Sequence, residues 1–129
     1  MELPVTGLYA GALTLLFIAL SFHVSITRGK TDTSLGDGGN PVMLSAMRRH
    51  GNLAEFLPLA LLLLALAEMA GTGMIWLHLM GGLLVVGRLI HPLGIAPDGG
   101  IFAARVAGSL MTLGALLIGA VALLLAAFG

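Results

Sequence analysis

Four long apolar runs, set apart by short polar or Gly/Pro-rich connections, leave this chain little choice of fold. They extend roughly over Val5 to Ile26, Leu53 to Ala70, Met74 to Gly94 and Ala103 to Phe128. A helix needs on the order of 20 mostly apolar residues to cross a bilayer, and each run is close to that length. Lipid offers the backbone no hydrogen bonds, so each run has to satisfy its own amides by becoming helical. The expected architecture is an all-α integral membrane four-helix bundle with up-down topology. The runs take up nearly all of the 129 residues, of which 58% are hydrophobic and only 9% charged, so residues 1–129 read as a single membrane domain. The first run lacks a basic n-region and a small-residue cleavage pattern, which argues against a cleaved signal peptide. With no cysteine there can be no disulfide, thiolate metal site or cysteine nucleophile. A net charge of zero argues against a nucleic-acid partner.

The basic residues orient the bundle. Arg28, Lys30, Arg48, Arg49, Arg88 and Arg105 all lie in or beside the connections after the first and third runs. By the positive-inside rule those connections are cytoplasmic, which puts both termini and the Gly71-Thr72-Gly73 turn on the other side. Trp76 and His78, just after that turn, suit the opposite interface.

Depth then separates the polar residues. Counting back from Gly71 through about 30 Å of hydrocarbon at about 1.5 Å per residue reaches about residue 51. Arg48 falls at the lip, Asn52 and Glu55 just below it, and the three share one helix stripe at i, i+4 and i+7. The same count along the third run puts Arg88 several ångströms inside, with His91 above it, while Arg28 and Arg105 arrive at the same lip. Ionisable groups at such depth need partners and mark a candidate site. Glu55 is the only acid expected at the depth of Arg88, so these two are expected to pair. Such a pair could be structural glue between helices. The remaining arginines could snorkel to lipid phosphates, or they could receive a bound anion. Histidines His23, His50 and His91 are too scattered for a metal site, so no metal is expected.

The run Arg48-x-x-x-Asn52-x-x-Glu55-Phe56-x-Pro58, together with Gly36-Asp37-Gly38-Gly39-Asn40 and Gly87-Arg88-Leu89, resembles the signature of the MAPEG family, the membrane-associated proteins in eicosanoid and glutathione metabolism. The resemblance covers essentially the whole chain and is greatest to the short bacterial members. It implies a homotrimer that binds glutathione as co-substrate between neighbouring subunits, near the cytoplasmic side. Carried over by position, Arg48, Asn52 and Glu55 would hold the charged ends of the tripeptide, with Arg88 and Arg28 in the site. Arg105 would polarise the sulfur, with Arg88 the second choice for that role.

The chain also departs from the family. His91 and Ile95 stand where many eukaryotic members carry tyrosines, and Phe56 stands where a tyrosine is common. The sole tyrosine, Tyr9, lies toward the far face. His91 is the expected substitute contact, as a donor or as a cation. Glutathione brings its own thiol, with an unperturbed pKa of about 8.5. Lowering that value by about two units takes about 2.7 kcal/mol, which one arginine in a partly desolvated site can supply. The resulting expectation is a microsomal-type glutathione transferase or peroxidase acting on lipophilic electrophiles from the bilayer. The alternative is a non-catalytic membrane scaffold or lipid-binding protein of the same fold.

Smaller features carry their own expectations. Pro58 should kink the second helix or free the Ala54 carbonyl beside Glu55. Gly7-x-x-x-Gly11 and Ala115-x-x-x-Gly119 should permit close helix approach. Glu68 should be solvated or cap the nearby turn.

Overall fold

In the computed structural model, which describes residues 1–129, the chain is all-helical. Four helices run up and down: α1 (Pro4–Thr31), α2 (Pro41–Met69), α3 (Met74–Ile90) and α4 (Phe102–Phe128). A 3₁₀ turn, His91–Gly94, extends α3. All four segments, with α3 counted through its turn, are long and apolar enough to cross a membrane. The protein is an integral membrane protein.

Two helices outlast the apolar runs inside them. α2 begins at Pro41 rather than Leu53, because the Asn40 side chain accepts the amides of Val42 and Met43 and Pro41 supplies a preset first turn. α1 continues to Thr31, where Asp32 adopts a left-handed conformation (φ 50°) and its amide closes on the Arg28 carbonyl. Hydropathy marks where lipid stops, whereas capping marks where a helix stops. At 1.5 Å per residue, α2 is roughly 43 Å long, so its first turns project beyond a hydrocarbon layer of about 30 Å. Pro58 lies inside α2 without ending it.

Around the bundle the helices follow the order α1, α2, α4, α3, with α2 and α3 also touching across the diagonal. Two apolar layers fill the centre. One joins Val5, Leu64, Ala67, Leu77 and Met80. The next joins Leu13, Ala60, Leu84 and Ala115. The buried residues of α4 are all small, Gly108, Thr112, Ala115 and Gly119, and they form one stripe at i, i+4, i+7 and i+11. That stripe lets α3 lie close. A Cβ on Gly119 would meet Met80 Cε at 2.6 Å, and one on Gly108 would meet the Gly87 carbonyl oxygen at 2.6 Å. Gly11, by contrast, has nothing of the chain near it, so of the two small-residue motifs only Ala115/Gly119 serves close packing within the chain.

The end carrying the termini is closed by side chains from distant parts of the sequence. Glu68, near the end of α2, accepts the amides of Val5 and Thr6 at 2.9 and 2.7 Å. It therefore caps α1 rather than the neighbouring turn. Tyr9 fills the notch left by Gly81, and its hydroxyl lies 3.0 Å from His78 Nδ1.

Candidate functional site

The opposite end, where α1 and α3 finish and α2 and α4 begin, gathers the arginines. Arg88 projects from α3 into the middle of the bundle and is only 3% exposed. Its Nη1 donates to Asn52 Oδ1 on α2 at 2.6 Å, and its Nη2 donates to the Gly108 carbonyl on α4 at 3.1 Å. Thr112 donates to the same carbonyl at 2.9 Å. The Arg88 guanidinium also stands 5.3 Å from the centre of the Phe56 ring. One cation thus ties three helices together through neutral acceptors alone, and its Nε has no partner.

The expected Glu55–Arg88 pair does not form. Glu55 instead accepts from Arg48 Nη1 at 3.3 Å, the only ion pair in the chain, and both side chains are about half exposed (51% and 56%). Helix geometry accounts for the difference. Seven residues fall about 20° short of two full turns, so Glu55 lies almost directly along the axis from Arg48, whereas Asn52 is rotated about 40° from Arg48 toward the interior. The single stripe read from the sequence is really two, an inward amide and an outward ion pair.

Arg105, in the first turn of α4, is exposed and lies 5.4 Å from the centre of the Phe102 ring. No carboxylate pairs with it. Arg28 turns back on its own connection, donating from Nη1 to the carbonyls of Gly36 (2.9 Å) and Thr33 (3.3 Å). His91 is buried, with its Cα and Cβ packed against Gly108 in the α3–α4 contact. The structure therefore gathers Arg48, Asn52, Glu55, Arg88, His91, Arg28 and Arg105 at one end, with Arg28 folded onto its own connection and the other six in two sets. Arg88, Asn52 and His91 face inward, whereas Arg48, Glu55 and Arg105 face outward.

Two participants escaped sequence reasoning. The Gly108 carbonyl is one; its clue was the small-residue stripe on α4. Arg49 is the other: its Nε donates to the Ile95 carbonyl at 2.6 Å, a backbone partner that no motif announces. None of the grooves on the single chain is lined by Arg48, Arg88 or Arg105. The largest, about 560 Å³, lies at the other end beside Trp76 and Thr72 and is walled by apolar residues of α4.

A family model, that of the MAPEG family, matches residues 6–125. The chain belongs to the MAPEG family. Among curated proteins it is similar to the inner membrane protein YecN of Escherichia coli strain K12, with 39% identity over 90 residues, covering 70% of this chain and 69% of the relative. The YecN of Escherichia coli O6:H1 is similar to the same extent. No solved structure matches. These likenesses support an inner-membrane location for this MAPEG chain.

Proposed function

We propose that this MAPEG protein binds glutathione at its arginine-bearing end, between the subunits of a homotrimer, and acts as a glutathione transferase or glutathione-dependent peroxidase on lipophilic substrates. One observation carries the reading: three guanidinium groups, those of Arg48, Arg88 and Arg105, share that end with a single paired acid, Glu55. Asp37 and Asp98, the other acids with bonds there, accept amides of their own turns. Arg105, exposed and without a carboxylate, fits an anionic ligand, and outward-facing Arg48 and Arg105 fit a ligand shared with a neighbouring subunit.

In this reading Arg105 stabilises the glutathione thiolate, Arg48 and Glu55 hold the charged ends of the tripeptide, and Arg88 sets Asn52 from within. In conjugation the thiolate sulfur forms a bond to an electrophilic carbon, and the displaced leaving group departs with the bonding pair. In peroxide reduction the same thiolate attacks one peroxide oxygen, the O–O bond breaks and the other oxygen leaves as an alkoxide that is protonated to the alcohol. A second glutathione thiol then attacks the sulfur of the resulting sulfenic acid, giving the disulfide and water. The cationic end faces the cytoplasm, as the positive-inside rule favours, and both termini lie across the membrane.

A non-catalytic scaffold is the second reading. It is favoured by the absence of any phenol at the arginine end, since Tyr9 is engaged with His78 at the other. Titration of the purified, detergent-solubilised protein with glutathione, monitored by ultraviolet thiolate absorbance, separates the two. Saturable binding with a thiolate band supports the enzyme. No saturation at millimolar glutathione supports the scaffold.

A further inference from the structure

Arg49 is the arginine for which the proposed chemistry has no use, yet it makes one of the shortest side-chain bonds in the protein. Arg48 turns outward, whereas Arg49, one position on, turns toward the α3–α4 connection and donates from Nε to the Ile95 carbonyl at 2.6 Å. No other side chain from outside the connection hydrogen-bonds to residues 95–101.

That connection is bonded to itself and packed on the start of α4. Ile95 closes on the Pro92 carbonyl, Gly99 on Ala96, and Ile101 on Leu93, at 3.1, 2.9 and 3.0 Å. Gly100 has φ 63°, and a Cβ there would sit 2.8 Å from the Leu93 carbonyl oxygen. A Cβ on Gly94 would run into the backbone and Cβ of Arg105. Glycine's missing side chain thus lets the turn lie directly on the residue that begins the proposed sulfur site. Displacing Ile95 displaces Arg105.

We propose that Arg49 is a positioning residue: by pinning Ile95 to α2 it sets where Arg105 on α4 stands relative to Arg48 and Glu55 on α2. A charged donor on a backbone carbonyl gives a short, directional bond suited to this task. The functional half of the inference rests on the glutathione reading, whereas the mechanical half does not.

The cysteine-free chain makes the test direct. Spin labels on Leu44→Cys (α2) and Ala103→Cys (first turn of α4), both at exposed positions, report the distance between the two elements in protein diluted with unlabelled subunits. Arg49→Met should broaden and shift that distance. On the same background it should weaken glutathione binding about tenfold, the equivalent of one charged hydrogen bond. Arg49→Lys, which still offers a cationic donor, should recover most of both. The proposal is overturned if Arg49→Met leaves the distance unchanged; if binding is nonetheless lost, Arg49 is itself a ligand contact. It is equally overturned if the distance changes and glutathione binding does not. Should the parent protein fail to bind millimolar glutathione, the glutathione reading falls by itself, and the distance alone then decides whether Arg49 holds the connection.

Discussion

Arg88 of α3 donates to Asn52 of α2 at 2.6 Å across the diagonal of the bundle, so the deepest cation of the protein is held by a neutral amide. Glu55, the acid nearest to Asn52 in sequence, looks outward and pairs with Arg48. The charge is met by the amide oxygen, the Gly108 carbonyl and the face of Phe56. Because nothing neutralises it, removing one acceptor should cost more than removing an ordinary hydrogen bond.

Asn52→Ala should destabilise the protein by about 2–3 kcal/mol, because a buried guanidinium loses its strongest acceptor. Glu55→Gln, at a half-exposed ion pair, should cost under about 1 kcal/mol. Thermal unfolding of both variants in the same detergent checks the order. Equal losses would mean that the Arg88–Asn52 bond contributes no more than the exposed Arg48–Glu55 pair.

The α3–α4 contact predicts opposite outcomes for two glycines of one helix. Gly108→Ala drives a methyl to 2.6 Å from the Gly87 carbonyl oxygen and 2.8 Å from His91 Cβ, and should cost about 1–3 kcal/mol or more. Gly114→Ala meets only Leu83 Cδ1 at 3.8 Å. Relief of glycine's helix penalty should leave that variant neutral or slightly more stable, by up to about 1 kcal/mol. Melting curves of the pair would show whether the helices approach as closely as described.

Glu68 caps α1 from α2, so Glu68→Ala should loosen the first turn of α1 by about 1 kcal/mol, the usual worth of a capping acceptor. Glu68→Gln keeps one acceptor oxygen and should fall between. Amide hydrogen exchange at Val5 and Thr6 reports this, with faster exchange in the alanine variant while the centres of α2 and α3 remain protected.

On the proposed chemistry, Arg105→Ala should abolish the glutathione thiolate band and leave the oligomer unchanged on size-exclusion chromatography. The loss should correspond to about 2.7 kcal/mol of thiolate stabilisation if the thiol is lowered by about two units. A thiolate band that survives in Arg105→Ala but vanishes in Arg88→Ala would transfer the role to Arg88.

How much of this could be read in advance depended on how local each cause is. The four membrane crossings follow from run length and the cost of unpaired backbone in lipid, so they were legible residue by residue. The Ala115/Gly119 contact was legible too, because small residues at helical spacing have few other uses. The partner of Glu55 was not legible, because depth alone points it at Arg88, whereas helix phase decides the pairing: a rotation of about 60° separates Asn52 from Glu55 on one turn of α2.

What the sequence determined by itself is the membrane class, the number of spans and the gathering of arginines at one end, because hydropathy and charge act along the chain without reference to any neighbour. What only the tertiary structure decided is the partner of each arginine. Arg88 found an amide and a backbone carbonyl, Arg49 a carbonyl in a distant turn, and Arg28 its own loop. Backbone carbonyls are present at every residue and so leave no mark in a sequence. Which of them a guanidinium meets is settled only when helices pack at a particular rotation and distance.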